Sequence, residues 1–180
     1  MTMSVLKSAV TGRYKSIGSP ENADCIIGQS FGASEHGPGY VNKLLANYVI
    51  ERTNKELPLL VQGEIAEALA ESESDHIPNL IIQGNPSTST GGELDSWCML
   101  EQAREYMDDN KLNSPILIAQ SYHIGRLCLQ AIKQGMEPVI TDGLPDEFDP
   151  ESTQFWTRDK KLWIPREVIG MTYLRCKNKL

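Results

Sequence analysis

Apolar residues gather in short unbroken runs at residues 24–28, 58–62, 79–83, 115–120 and 138–141. Most of these runs are rich in Ile, Leu or Val and none alternates with period two, which is the pattern of strands buried on both faces of a parallel sheet. The stretches between them follow the period of a helix. Val41, Leu44, Leu45, Tyr48 and Val49 share one face of a predicted helix over residues 40–54. Trp97, Leu100, Ala103 and Met107 do so over 93–108, and Ile124, Leu127, Cys128, Ala131 and Ile132 form an i, i+3, i+4, i+7, i+8 stripe over 122–134. A shorter helix is predicted over 65–72. A last one is predicted over 165–177, opening on Pro165, a residue suited to a first helical turn. Alternating strands and helices imply βαβ units. The fold expected is a single α/β domain over residues 1–180, a three-layer Rossmann-like arrangement. A mainly parallel sheet of about five strands is flanked by helices, and residues 1–22 form an N-terminal extension. Residues 142–159, polar and interrupted by Pro145 and Pro150, read as a long surface loop of a length that often carries function.

Charge and composition narrow the classes of partner. The 180 residues carry 17 Lys and Arg against 24 Asp and Glu, a net charge of −7. Such a surface repels nucleic acid and anionic lipid over its average face, so any anion site must be local. No apolar run approaches the roughly 20 residues of a membrane span, and residues 1–12 have no continuous apolar segment of the secretory kind. Cys25, Cys98, Cys128 and Cys176 are widely spaced with no CxxC pair, which predicts four reduced thiols, no structural metal site and a reducing cytoplasm.

In a doubly wound sheet, ligands bind beyond the carboxyl ends of the strands. The turns there are Gly28-Gln29-Ser30-Phe31-Gly32, Gln62-Gly63-Glu64, the segment from Gln83 to Glu93, and Gln120-Ser121-Tyr122-His123. Gln29, Gln62, Gln83 and Gln120 each fall at a strand end, where they either line a polar neutral pocket or only solvate the strands. Gly28 and Gly32 allow close backbone approach or simply a turn. Ser87, Ser89 and Thr90 precede a helix, where they cradle an anion or supply its N-cap from Ser89, Thr90 or Gly91. His123 and Arg126, three apart, share a helical face away from the apolar stripe. Arg offers a planar fork for phosphate or carboxylate and His a movable proton. An arginine in a first helical turn opposes the helix dipole, so it needs a purpose other than helix stability. Phe155, Trp156 and Trp163 either cover the sheet edge or wall a ligand ring.

These motifs resemble the bacterial YdcF/SanA/ElyC-like family. Asp24-Cys25-Ile26-Ile27 before Gly28 is similar to its opening strand, and Ser87-Thr88-Ser89-Thr90 to its Ser-x-Asn-Thr element. Ser121-Tyr122-His123-Ile124-Gly125-Arg126 is similar to its Ser-x-x-His-x-x-Arg motif, and Trp163-Ile164-Pro165 to its Trp-x-Pro tail. The resemblance spans residues 23–177. It implies a Rossmann-like fold, a pocket built from these turns, a link to cell-envelope processes, and S-adenosylmethionine or a nucleotide as the cofactor class. The chain departs from the pattern in offering Gln83 and Gly84 where the family's third strand ends in Glu, which takes away a carboxylate for general-base or metal chemistry.

The functional expectation is therefore a small anionic or nucleotide-like ligand at the carboxyl rim, with or without group transfer or hydrolysis. Arg126 is expected to clamp the anion and His123 to donate or shuttle a proton. Ser87, Ser89 and Thr90 would form a second cradle, with Gln29, Ser30, Gly28 and Ser121 completing the pocket. The alternative is a non-catalytic sensor or partner-binding module using Trp156 and the acidic late loop.

Overall fold

A computed structural model describes residues 3–83 and 95–180, with side chains from residue 7 onward. Four strands, β1 (Cys25–Gly28), β2 (Leu59–Gln62), β3 (Leu80–Ile82) and β4 (Pro115–Ile118), form one sheet in the order β3-β2-β1-β4. Every pairing is parallel, with Ile26 between Leu59 and Ile116. β1, β2 and β4 are buried along their whole length, which is why their sequences do not alternate.

The expected fifth strand is not formed. Residues 138–141 make only isolated bridges, Val139 parallel to Ile116 and Ile140 antiparallel to Ile17. Pro138 has no N–H for a ladder bond. Ile140 both donates to and accepts from Ile17, so the N-terminal arm takes the hydrogen bonds that a longer strand would use.

Helices α1 (Met3–Thr11), α2 (Tyr40–Arg52), α3 (Gly63–Glu71), α4 (Ser96–Asn110), α5 (Ser121–Lys133) and α6 (Lys160–Cys176) surround the sheet. The expected helices are present, with two corrected starts. α4 is capped by Asp95, whose carboxylate accepts from Cys98 N–H at 2.8 Å, and not by Ser89, Thr90 or Gly91. A carboxylate there satisfies a free N–H and complements the helix dipole. α6 begins five residues before Pro165, because Asp159 accepts from Lys161 N–H at 2.6 Å. Residues 1–22, expected as an extension, contain α1, which packs on α5 with Ser8 Oγ donating to the Ser121 carbonyl at 3.3 Å.

Two side chains tie distant turns to the sheet. Asp24 accepts from Asn113 and Ser114 N–H at 2.7 and 3.0 Å, fixing the entry to β4 against β1. Asn42, 1 % exposed, accepts from Phe31 N–H at 2.8 Å and donates to the Gly32 and Pro38 carbonyls. The late loop is more than a surface excursion. Leu144, Asp149, Ser152 and Thr157 are buried, and Asp149 and Ser152 bond to Tyr40 and Ala33. It is thereby latched to the turn after β1 and stands over the sheet's carboxyl rim.

Candidate functional site

A cavity of about 790 Å³ opens at the carboxyl ends of β1, β2 and β3. Its floor is Gln29, Ser30, Gln62, Ser96, His123 and Arg126. One wall is Gly63, Glu64 and Glu67 from α3; the other is Trp156, Trp163 and Arg166 from the late loop and α6. The volume suits a small organic ligand.

At its base lies a buried polar cluster. Arg126 Nε donates to Glu167 Oε1 at 2.8 Å, Nη1 to Ser96 Oγ at 2.7 Å, and Nη2 to His123 Nδ1 at 3.0 Å. The expectation that His123 and Arg126 stand clear of the core is corrected. His123 is 3 % exposed, Glu167 1 %, and the Arg126 side chain 11 %. α6 packs over their face of α5 and supplies Glu167 as the partner of Arg126, which, as the sixth residue of α5, lies in its second turn and not its first.

The bonding fixes the imidazole tautomer. A guanidinium only donates, so Nδ1 accepts from Arg126 and the neutral ring carries its proton on Nε2. Nε2 then donates to Gln29 Oε1 at 2.9 Å. Burial is the main force disfavouring the charged ring, and the neighbouring Arg126 adds to it. Glu167 Oε1, 3.4 Å from Nδ1, pulls the other way and loses, so the His123 pKa is pushed down to about 4. For Glu167, burial alone would raise the pKa. The Arg126 charge overrides it, with His123 helping, and holds the carboxyl down near about 2. At neutral pH the cluster is an ion pair with a neutral histidine, and the one lone pair of that ring is occupied. As it stands His123 orients Gln29 and is no free base.

The same logic fixes both floor amides. Gln62 Oε1 accepts from Ser30 N–H at 2.9 Å and from Ser30 Oγ–H at 3.1 Å. Gln29 Oε1 is taken by His123. Gln62 Oε1 is fully used and Gln29 Oε1 keeps one lone pair, so each glutamine turns its NH2 group away from the partner that holds its oxygen. The floor is therefore rich in donors. The net charge around it is not positive. Arg126 and Arg166 face Glu64, Glu67 and Asp95 among the described lining residues, and Glu167 beneath already neutralises Arg126.

The structure gathers Gln29, Ser30, His123 and Arg126 of the expected residues at this cavity. It does not gather Gly28 or Ser121. A Cβ on Gly28 would lie 2.8 Å from Val61 Cγ1, so that glycine serves the contact between β1 and β2. Ser121 is buried beneath α1. Ser87, Ser89 and Thr90 lie outside the described residues. Sequence reasoning missed Glu167, the cluster's carboxylate. A lone Glu in an amphipathic helix carries no signal of burial, and only the earlier start of α6 at Lys160 puts Glu167 on one helical face with Trp163, four residues before it. Of the three late aromatics, Trp156 and Trp163 line the cavity, Trp163 also belonging to the core, whereas Phe155 is exposed outside it; the Arg166 guanidinium lies 4.4 and 5.7 Å from the Trp156 and Trp163 ring centroids. Trp163 also meets His123 edge-on at 5.5 Å. No family model, no curated protein and no solved structure matches this chain.

Proposed function

We propose that this protein binds a small ligand with an acceptor-rich, carboxylate, monophosphate or nucleotide-like head in the rim cavity. The observation that carries this reading is the engagement of both floor amide oxygens, Gln62 by Ser30 and Gln29 by His123, which leaves the Gln29 and Gln62 NH2 groups, beside Arg126, as donors for the cavity. Donors without net positive charge favour phosphate monoester, carboxylate or carbonyl oxygens over a polyphosphate, which the surrounding carboxylates would repel. The similarity of the His123 and Arg126 motif to YdcF/SanA/ElyC-like proteins supports the same location. Binding takes precedence over catalysis in this reading, because the basic nitrogen of His123 is occupied by Arg126. Group transfer or hydrolysis would first require a ligand to displace that contact.

The test is a thermal-shift and titration panel of inorganic phosphate, adenosine 5′-monophosphate and S-adenosylmethionine on wild type and Gln62→Glu. The substitution keeps an oxygen for Ser30 and removes the NH2. A ligand at tenfold its Kd stabilises by about 1.4 kcal/mol, roughly 3–6 °C for a chain of this size. The reading expects one compound to give such a shift and Gln62→Glu to weaken it at least tenfold. Equal affinity in both proteins, or no shift from any compound, would overturn it.

A further inference from the structure

We infer that the α3 wall of this cavity reads the vicinal diol of a ribose, so that the ligand is a ribonucleoside derivative and not its deoxy counterpart. The inference rests on the proposed pocket and names its ligand class. In a sheet ordered β3-β2-β1-β4, the crevice lies at the switch point between β1 and β4, and the end of the neighbouring β2 is the place from which an acidic residue reaches a ribose. Here β2 passes into α3 without a loop, which puts Gly63 and Glu64 at that position. Ile65, Ala68 and Leu69 anchor α3 to the sheet, while Glu64 and Glu67 line the cavity. Glu71, on the same helix, pairs with Lys43 at 2.9 Å; Glu64 and Glu67 make no ion pair or hydrogen bond among the described residues. A carboxylate can accept from two adjacent hydroxyls at once, a bond geometry that a single hydroxyl does not fill.

Two further features fit a nucleoside lying across the cavity. Gly63 needs neither a positive φ nor a crowded site. A Cβ there would meet nothing within 4 Å, so the fold gives no reason for a glycine where the cavity gives one, open access to the backbone. On the opposite wall, Arg166 lies over the ring of Trp156 at 4.4 Å, a flat polarisable surface of the kind on which bases stack. The ring wall can take the base, the carboxylate wall the ribose hydroxyls, and the donor floor the phosphate that the ribose carries.

The experiment titrates the four ribonucleoside 5′-monophosphates and their 2′-deoxy counterparts into wild type, Glu64→Ala and Gly63→Leu by calorimetry, with circular dichroism to verify folding. The expected result is at least tenfold tighter binding of one ribonucleotide than of its deoxy form. That preference should fall below threefold in Glu64→Ala, and binding should be lost in a folded Gly63→Leu. Equal binding of ribo and deoxy forms, with loss in Gly63→Leu, overturns the diol reading and leaves the pocket standing. An unchanged preference in Glu64→Ala overturns the role of Glu64. Absence of binding by any nucleotide overturns this inference, and the phosphate and S-adenosylmethionine arms of the earlier panel then decide the pocket separately.

Discussion

Arg126 donates to Glu167 at 2.8 Å across the contact between α5 and α6, and each makes the burial of the other tolerable. A buried ion pair adds little net stability over well-packed apolar residues, but half of one is costly. Arg126→Ala should therefore destabilise the protein by roughly 3–5 kcal/mol, because it strands a carboxylate that is 1 % exposed. The double variant Arg126→Met, Glu167→Leu should recover most of that loss. Urea denaturation of the three variants measures both effects. A single-variant cost below about 1 kcal/mol would mean that Glu167 finds water when Arg126 is gone.

Acid should destabilise the fold through this cluster. Folded His123 takes a proton only near about 4, whereas the unfolded chain takes it near 6.5. Between those values unfolding binds a proton, so stability is complete above the upper value and falls as pH falls to the lower one. The span corresponds to roughly 3 kcal/mol. Glu167 continues the loss below its ordinary value of 4.5, toward about 2, with the same sign. Denaturation midpoints from pH 8 to pH 4 should decline in wild type and flatten in His123→Gln. A parallel decline in both would place the proton uptake elsewhere.

Asn42 should be a strong single point of failure for the turn after β1. Its side chain satisfies one N–H and two carbonyls in a segment with no regular backbone pairing. Asn42→Ala should cost about 2–4 kcal/mol from unpaired backbone groups and lost packing. Hydrogen exchange at Phe31 N–H should rise by more than the global loss predicts, since that amide would open locally. Protection of Phe31 at the wild-type level would show that another acceptor takes over.

The thiols should behave as four independent groups. All four cysteines are free, with Cys25 and Cys128 buried and Cys176 exposed. Burial raises the thiol pKa of Cys25 and pushes Cys128 and Cys98 up to about 11. Native protein should react rapidly with a thiol reagent at Cys176 alone, and four equivalents should react in denaturant without reductant. Fast native labelling of Cys128 would mean that α5 opens readily.

Gln83 and Glu167 explain how the site was only half legible. The departure of the third strand from an acidic ending was visible at Gln83, and it argued for a site without a carboxylate. The carboxylate comes instead from α6, more than eighty residues on, and bonds to Arg126. The fold was more transparent. β1, β2 and β4 are buried on both faces, so their composition alone marks them. Residues 138–141 have the same composition, yet they carry only bridges, because the arm at Ile17 competes for their hydrogen bonds.

By itself the sequence determined the strand and helix pattern, the parallel sheet, and the presence of Gln29, Ser30, His123 and Arg126 at one rim. Those follow from local periodicity and from the rule that parallel strands end on the same side. Tertiary structure alone decided the charge state and the orientation of the groups. Burial under α6 turned His123 neutral, Glu167 tied up Arg126, and Ser30 and His123 turned two symmetric-looking amides into donors. Desolvation and hydrogen-bond direction depend on which atoms meet across 32 residues or more, and no spacing along the chain encodes that meeting.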